Sequence, residues 1–196
     1  MGKVTAQFSM SLDGFIAAAD DDVWPVMGWY RAGDTEFAVP GAPMVFKISR
    51  ASAELLKEAW PRIGAVVTGR HDFDVSKAWG GRPPVGDRAF ILTHTPPAEW
   101  IDTDAPFTFV TDGIESAVAQ AQAAAGDRDV AVGSSTTIQQ ALKAGLLDEI
   151  QIDLVPILLG AGVRLFDHLG PLPINLEIID VIQGTGVTHL RYRVVR

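Results

Sequence analysis

Apolar and polar residues alternate at the start of the chain, which is the pattern of a half-buried β-strand. Val4, Ala6, Phe8 and Met10 are apolar, and the residues between them are polar. The pair Asp13-Gly14 ends the pattern with residues that favour a turn. We therefore predict a first strand that carries a polar turn at its carboxyl end.

Residues 129–168 contain the clearest ordered pattern in the sequence. A β-rich run, 130–132, ends at Gly133, and a helix then begins on the four hydroxyl residues 134–137. Gly145 is suited to the left-handed position that ends a helix, and the apolar run 150–155 follows. Strand, tight turn, helix and strand in this order indicate a βαβ-like unit.

The rest of the chain continues the alternation of strands and helices. We predict a helix that opens at Ser52 and closes at Pro61, and a second helix capped by Thr111 or Asp112. Further strands are predicted at 63–68, 90–93 and 107–110, with a C-terminal hairpin of 174–182 and 187–195. These elements predict one α/β domain over residues 1–196, with a mostly parallel sheet, an antiparallel C-terminal hairpin and helices on both faces.

One long segment, residues 18–47, shows neither the two-residue alternation of a strand nor the 3.6-residue repeat of a helix, and it is predicted to be irregular. It contains Trp24, Trp29, Tyr30, Phe37 and Phe46, and this aromatic content argues against disorder. Long ordered loops in compact domains often carry function. We therefore expect this segment to form a wall of the substrate site.

Composition excludes several classes of function. The net charge of −8 and the absence of a basic run with interleaved aromatics argue against a nucleic-acid partner. The chain has no cysteine and only four scattered histidines, so no metal site is predicted. Because neither a signal-peptide core nor a membrane-length apolar run is evident, we expect a cytoplasmic protein without a membrane partner.

Polar or glycine-containing turns follow four of the predicted strands. They are Asp13-Gly14, Gly69-Arg70, Thr93-His94 and Gly133-Ser134. Because parallel sheets bind ligands at the carboxyl ends of their strands, we expect the four turns to form one binding rim. The helix that starts after Gly133 would attract an anion through its unpaired N–H groups, although the same residues also suit simple capping.

Individual residues on this rim each have a functional and a purely structural interpretation. Arg70 can hold two phosphate oxygens, or it can pair at the surface with Asp72 or Asp74. His94 is either a phosphate neighbour or an exposed loop histidine. Asp13 is the candidate catalytic residue, either holding a polar group of the substrate or relaying a proton, and the alternative is that it only forms a turn.

Two residues of the irregular segment are candidates for contact with the substrate. Trp24 would cover the reacting end of the site, and Asp34 is an acid that could bind or protonate a substrate there. Glu36 is a further acid of the same kind, and both acids are more often solvated than catalytic.

Several motifs resemble the dihydrofolate-reductase-like superfamily, and most closely the reductase domain of bifunctional riboflavin-biosynthesis deaminase-reductases. The matching motifs are residues 11–17 (SLDGFIA), 66–70 (VVTGR), 146–150 (LLDEI), 156–162 (PILLGAG) and Leu165-Phe166. The resemblance implies a dihydrofolate-reductase-like three-layer fold and a homodimer. It also implies an NADPH-dependent reductase that acts on a pterin-like or riboflavin-precursor-like heterocycle, or on a related C=N or C=O compound.

The resemblance also assigns roles to residues. Arg70, after Gly69, would reach a phosphate of NADPH, and Thr93 and His94 would lie beside the adenosine 2′-phosphate. Ile16 and Ala17, with Phe15, would pack on the nicotinamide. The turn of Gly133, Ser134, Ser135 and Thr136 would hold the pyrophosphate.

This last turn departs from the family pattern, which usually has two or three glycines here. The hydroxyl groups of Ser134 and Ser135 can compensate by donating hydrogen bonds to the pyrophosphate. The departure also leaves an alternative open, in which the fold binds a small molecule, a flavin or a deazaflavin without catalysing reduction.

Overall fold

The computed structural model describes residues 2–40, 44–170 and 173–195, which form twelve strands and five α-helices. The strands are β1 (Val4–Ser11), β2 (Phe15–Ala17), β3 (Thr35–Ala38), β4 (Val45–Ile48), β5 (Ile63–Gly69), β6 (Arg88–Leu92), β7 (Phe107–Val110), β8 (Asp129–Val132), β9 (Glu149–Val155), β10 (Val163–Arg164), β11 (Leu176–Gly184) and β12 (Val187–Val194). The helices are α1 (Trp24–Met27), α2 (Arg50–Ala59), α3 (Arg70–Val75), α4 (Ile114–Ala125) and α5 (Ser135–Lys143).

Eight of these strands form one sheet in the order β11-β12-β9-β1-β8-β5-β6-β7. The strands from β9 to β7 run parallel to one another, whereas β12 is antiparallel to β9 and β11 is antiparallel to β12. The predicted α/β fold, with a mostly parallel sheet and an antiparallel C-terminal hairpin, is confirmed.

Helices cover both faces of the sheet, as predicted. Helices α4 and α5 pack on the face that carries Val4 and Ala6, and together they enclose the largest apolar core. The opposite face is covered by α2 and α3 and has two apolar clusters, one that includes Leu56 of α2 and one that includes Phe73 of α3. Burying apolar side chains on both sides at about 25 cal/mol per Å² supplies the main driving force for this three-layer arrangement.

Two predicted helix starts are shifted in the structure. Helix α2 begins at Arg50 because Ser49 provides the cap, with its hydroxyl accepting the N–H of Ser52 at 3.1 Å. Ser52 therefore lies inside the first turn, and its side chain is buried. Helix α4 is preceded by Gly113 with φ 107°, and neither Thr111 nor Asp112 is the capping residue.

The segment predicted to be irregular contains more regular structure than expected. Helix α1 and the antiparallel pair β3–β4 lie within it, and Gly41 to Pro43 fall outside the described residues. Stacked aromatic rings hold the segment together, including Trp29 on Tyr30 at 4.0 Å between centroids. The segment is ordered by packing among its aromatic residues. Because this packing has no local periodicity, the sequence pattern does not predict it.

In the described part of the chain, every helix is too short or too polar to cross a membrane.

Candidate functional site

A cleft of about 1260 Å³ runs along the carboxyl ends of the parallel strands. Its lining includes residues that directly follow β5, β6 and β8, and side chains of β1 and β2 complete it. Ligand pockets usually measure roughly 300–1,000 Å³. The cleft is therefore large enough for an extended cofactor together with a small substrate.

The first turn of α5 forms one end of the cleft. Ser134 precedes the helix with φ 62°, and its hydroxyl contacts that of Thr137 at 2.7 Å instead of capping the helix. The first-turn N–H groups of an uncapped helix lack intrahelical partners, and the helix dipole adds partial positive charge there. This end of the cleft can therefore hold a phosphate group.

Two glycines allow the strands to approach this turn closely. A Cβ on Gly69 would lie 3.1 Å from the hydroxyl oxygen of Ser134, and a Cβ on Gly133 would lie 3.2 Å from that of Thr68. The N–H of Gly133 donates to the carbonyl of Val67 at 2.7 Å, which ties the turn to β5. Larger residues at either glycine would displace the turn that precedes α5.

Arg70 forms the ion pair with Asp74 that its sequence position allowed, and it also lies where it could contact a phosphate. Its Nε donates to both carboxylate oxygens of Asp74 at 2.8 Å, and its Nη1 donates to the carbonyl of Thr95 at 2.9 Å. The side chain also lines the cleft. Since an arginine has five N–H donors, the guanidinium can bind an anion while these contacts hold it in place.

A carboxylate, Asp72, lies close to this positively charged end. Burial raises the pKa of Asp72, whereas the hydroxyl of Thr68, 2.8 Å away, opposes that shift by donating to the carboxylate.

All ten residues predicted to bind the cofactor lie in the cleft lining. They are Ile16, Ala17, Gly69, Arg70, Thr93, His94, Gly133, Ser134, Ser135 and Thr136. The predicted catalytic and substrate-binding residues, Asp13, Trp24 and Asp34, lie outside it.

Asp13 has a structural role in the folded chain. Its carboxylate accepts hydrogen bonds from Ser11 Oγ at 2.6 Å, from the N–H of Leu159 at 3.1 Å and from the N–H of Gly160 at 2.7 Å. These donors tie the turn after β1 to the segment after β9, 146 residues further along the chain. The hydrogen bond from Ser11, aided by the two backbone donors, lowers the pKa of Asp13 to about 2.

We expect the Asp13→Asn variant to be less stable than the wild type at neutral pH, and the difference to disappear in acid. Because the pKa of Asp13 is lowered on folding, the carboxylate stabilises the folded state above the usual pKa of 3.8. That contribution shrinks as the pH falls from 3.8 to about 2. Urea unfolding of both proteins between pH 7 and pH 2 measures it. Asp34→Asn is the control, and a gap that does not change with pH would contradict the assignment.

Trp24 and Asp34 are both exposed, and their partners also lie outside the cleft lining. The ring of Trp24 is 48% exposed and lies 4.0 Å from the guanidinium carbon of Arg31 in a cation–π contact. Asp34 is exposed at the start of β3 and accepts a hydrogen bond from Thr35. Neither residue lines the cleft, so the expectation that Trp24 covers the site and that Asp34 contacts the substrate stays a prediction.

The structure adds cleft residues that the sequence did not identify. Gln7, Ser9 and Asp153 supply polar groups from β1 and β9, and Trp60 supplies an aromatic wall. Tyr30 and Phe46, which belong to the segment 18–47 expected to form a wall, also line the cleft. The alternation along β1 marked Gln7 and Ser9 only as polar, and nothing in the local sequence indicated that α2 covers this face.

In residues 2–40, 44–170 and 173–195, no group of three acidic or histidine side chains is arranged to hold a metal ion.

Comparison with known proteins gives a consistent picture. The RibD C-terminal domain family matches residues 2–190. The uncharacterised protein YwjB of Bacillus subtilis (strain 168) is 21% identical over 168 residues, which cover 85% of this chain and 84% of YwjB.

Two solved structures share the fold over nearly their whole length. A putative riboflavin biosynthesis protein from Shewanella sp. PV-4 has a TM-score of 0.73 and 23% identity, with 99% of each chain covered. Dihydrofolate reductase from Enterococcus faecalis, solved with NADP(H), has a TM-score of 0.60 and 15% identity, with 100% of this chain and 98% of that chain covered. At these identities the likeness establishes the fold, which is dihydrofolate-reductase-like.

Proposed function

The chain belongs to the RibD C-terminal domain family, and we propose that it is an NADPH-dependent reductase acting on a small heterocycle related to riboflavin precursors or pterins, or on a similar C=N or C=O compound. One observation carries the proposal. One long cleft has the uncapped start of α5 and Arg70 at one end and aromatic walls at the other. This polarity matches an extended phosphorylated cofactor whose reactive end meets a flat substrate.

The residues at the phosphate end suit NADPH. The turn from Gly133 to Thr136 would bind the pyrophosphate through its N–H groups. Arg70, Thr93 and His94 line the neighbouring part of the cleft and would surround the 2′-phosphate. The Enterococcus reductase of the same fold was solved with NADP(H), which supports this choice.

The opposite end suits a nicotinamide and a flat substrate. Ile16 and Ala17 of β2 would pack on the nicotinamide, whereas Phe15 lies beneath the guanidinium of Arg164 at 4.5 Å and does not line the cleft. Bound NADPH supplies the hydride. The chain's own contribution is to orient the two rings and to exclude water between them.

We expect NADPH to bind saturably and Arg70→Ala to weaken that binding by roughly tenfold to a hundredfold, with a much smaller effect on NADH. The reason is that a hydrogen bond to a charged group contributes about 1.5–3 kcal/mol, and only NADPH carries the 2′-phosphate. Titrations of both cofactors by fluorescence measure this.

Arg50→Ala is the matched control, because Arg50 forms the same kind of i,i+4 ion pair, with Glu54, on an exposed face. The proposal fails if NADPH does not bind the wild-type protein. Saturable binding of a flavin or deazaflavin in its place would support the alternative function of small-molecule binding without reduction.

A second copy of the chain is the protein partner that we propose. Edge strand β11 exposes Leu176, Ile178 and Val181, with Ile178 71% exposed. Exposed apolar side chains on an edge strand favour association with another chain. In a two-fold dimer, β11 of each copy would be covered by the other copy. Sedimentation velocity of the protein, compared with that of Ile178→Lys, tests whether this strand forms the interface.

A further inference from the structure

A chain of buried hydrogen bonds lies on the sheet face beneath α2, apart from the phosphate end of the cleft. The hydroxyl groups of Ser49 and Ser52 are 2.8 Å apart, and Ser52 Oγ lies 2.8 Å from His189 Nε2. His189 Nδ1 lies 2.6 Å from Asp153 Oδ1. Ser52, His189 and Asp153 are at most 2% exposed. Burying so many polar groups is costly unless every partner is satisfied.

The direction of each hydrogen bond in this chain follows from Asp153. Gln151 Nε2 donates to Oδ1 and Gln7 Nε2 donates to Oδ2, both at 2.9 Å, so the carboxylate accepts from both amides. It also accepts from His189, which places the imidazole proton on Nδ1. In the neutral imidazole, His189 Nε2 is then an acceptor, and the hydroxyl of Ser52 donates to it. Each group thus holds the next one in a single orientation.

This arrangement leaves the carboxylate with unused capacity at the cleft. A carboxylate has about four acceptor positions, and the three donors fill two on Oδ1 and one on Oδ2. Asp153 lines the cleft together with Gln7. The remaining acceptor position belongs to Oδ2, the oxygen bonded to Gln7. A ligand that donates an N–H can use it.

Hydroxyl donors and apolar walls surround this acceptor. Ser9 accepts the indole N–H of Trp29 at 2.9 Å, so its own O–H remains available to donate into the cleft that it lines. Tyr30 also lines the cleft, and its pKa is raised by burial and by the negative charge of Asp153, so its hydroxyl stays protonated. Met27, Phe46 and Trp60 supply apolar surface. The pattern suits the edge of a flat, nitrogen-containing ring.

We propose that Asp153 determines substrate specificity by accepting an N–H of a planar nitrogen heterocycle, and that His189 and Ser52 are positioning residues that hold its carboxylate. This inference rests on the proposed function and names the polar end of the same cleft. A ring without a donor at that edge would bury the carboxylate without its last partner, and such a mismatch is strongly disfavoured.

The test uses two fragments of nearly equal size, 2-aminopyrimidine and 2-methylpyrimidine, in NMR titrations of the full chain. We expect the wild type to bind the amino compound about tenfold more tightly, as expected for a hydrogen bond to a charged acceptor. Asp153→Asn keeps the shape of the side chain but puts an N–H donor beside the ligand. We expect this variant to lose the preference and to bind the methyl compound as the wild type does.

Ser52→Ala tests the positioning role. It removes one hydroxyl from His189, and we expect a shifted ¹⁵N resonance of the His189 ring together with a reduced preference for 2-aminopyrimidine. A purely structural role for Ser52 would lower the unfolding midpoint and leave the preference between the two fragments unchanged. This variant also keeps the inference testable if Asp153→Asn does not fold.

The inference is overturned if Asp153→Asn retains the wild-type preference, or if the wild type shows none. A parallel NADPH titration separates this outcome from failure of the proposed function. If NADPH binds and the fragment preference is absent, the reductase proposal stands without this role for Asp153. If NADPH does not bind but the fragment preference depends on Asp153, the role of Asp153 stands and the reductase proposal fails.

Discussion

Gly133→Val is expected to abolish useful NADPH binding, with a rise in Kd of about a hundredfold or more. A Cβ at this position would already lie 3.2 Å from the hydroxyl oxygen of Thr68 and 3.4 Å from its Cβ. The branched side chain must therefore push the turn away from β5 and misdirect the first N–H groups of α5. Losing two hydrogen bonds to a charged phosphate costs about 3 kcal/mol, which corresponds to that change in Kd.

The control for this prediction is Gly28→Val. Gly28 has nothing within 4 Å of its ideal Cβ and is not among the glycines with positive φ. Both variants are compared with the wild type by NADPH titration, and thermal unfolding shows whether each remains folded. A folded Gly133→Val protein with wild-type affinity for NADPH would rule out the turn as the phosphate site.

Phe73→Ala is expected to cost about 3–5 kcal/mol of unfolding free energy, the range found for removing a buried phenylalanine. Phe73 is 1% exposed and forms the centre of an aromatic cluster. Four rings contact it edge to face, at centroid distances between 5.1 and 5.8 Å: Trp79, Trp100, Phe107 and Phe109. Such pairs add to the stabilisation that burial alone provides.

The stability change is measured by urea unfolding, with Val75→Ala as the control on the same helix, because Val75 is exposed. We expect Phe73→Ala to weaken NADPH binding as well, since α3 also carries Arg70. A loss below about 1 kcal/mol, the level of an average point substitution, would contradict the central role of this ring.

Much of the fold was predictable because it depends on local patterns. The alternation in β1, the hydroxyl cluster before α5 and the left-handed glycine at 145, with φ 67°, mark elements that the structure contains. Three of the four turns expected on the rim, Gly69-Arg70, Thr93-His94 and Gly133-Ser134, line the cleft, whereas Asp13-Gly14 does not. These three were predictable for a related reason. Once the sheet is parallel, the residue that follows each strand must lie at its carboxyl edge.

The end of the cleft that we propose to bind the substrate depends on long-range partners that no local pattern specifies. His189 and Asp153 are 36 residues apart, and Ser52 is 137 residues from His189. Taken singly, each of these residues is an ordinary polar residue in a strand or near a helix start, and nothing in its neighbourhood indicates the other two. Asp13 is the reverse case, because its sequence context suggested a catalytic role, whereas the folded chain gives it a structural one. Its backbone donors come from a segment 146 residues away, which no local pattern indicates.

The position of β8 in the sheet determines when the proposed cofactor site can form during folding. Val130 pairs with both Val4 of β1 and Ala65 of β5, so this late segment of the chain fills the gap between two earlier strands. The turn proposed to bind phosphate begins at Gly133, directly after β8. If that proposal holds, a sheet without β8 has no cofactor site, and NADPH affinity reports whether this central strand has been inserted.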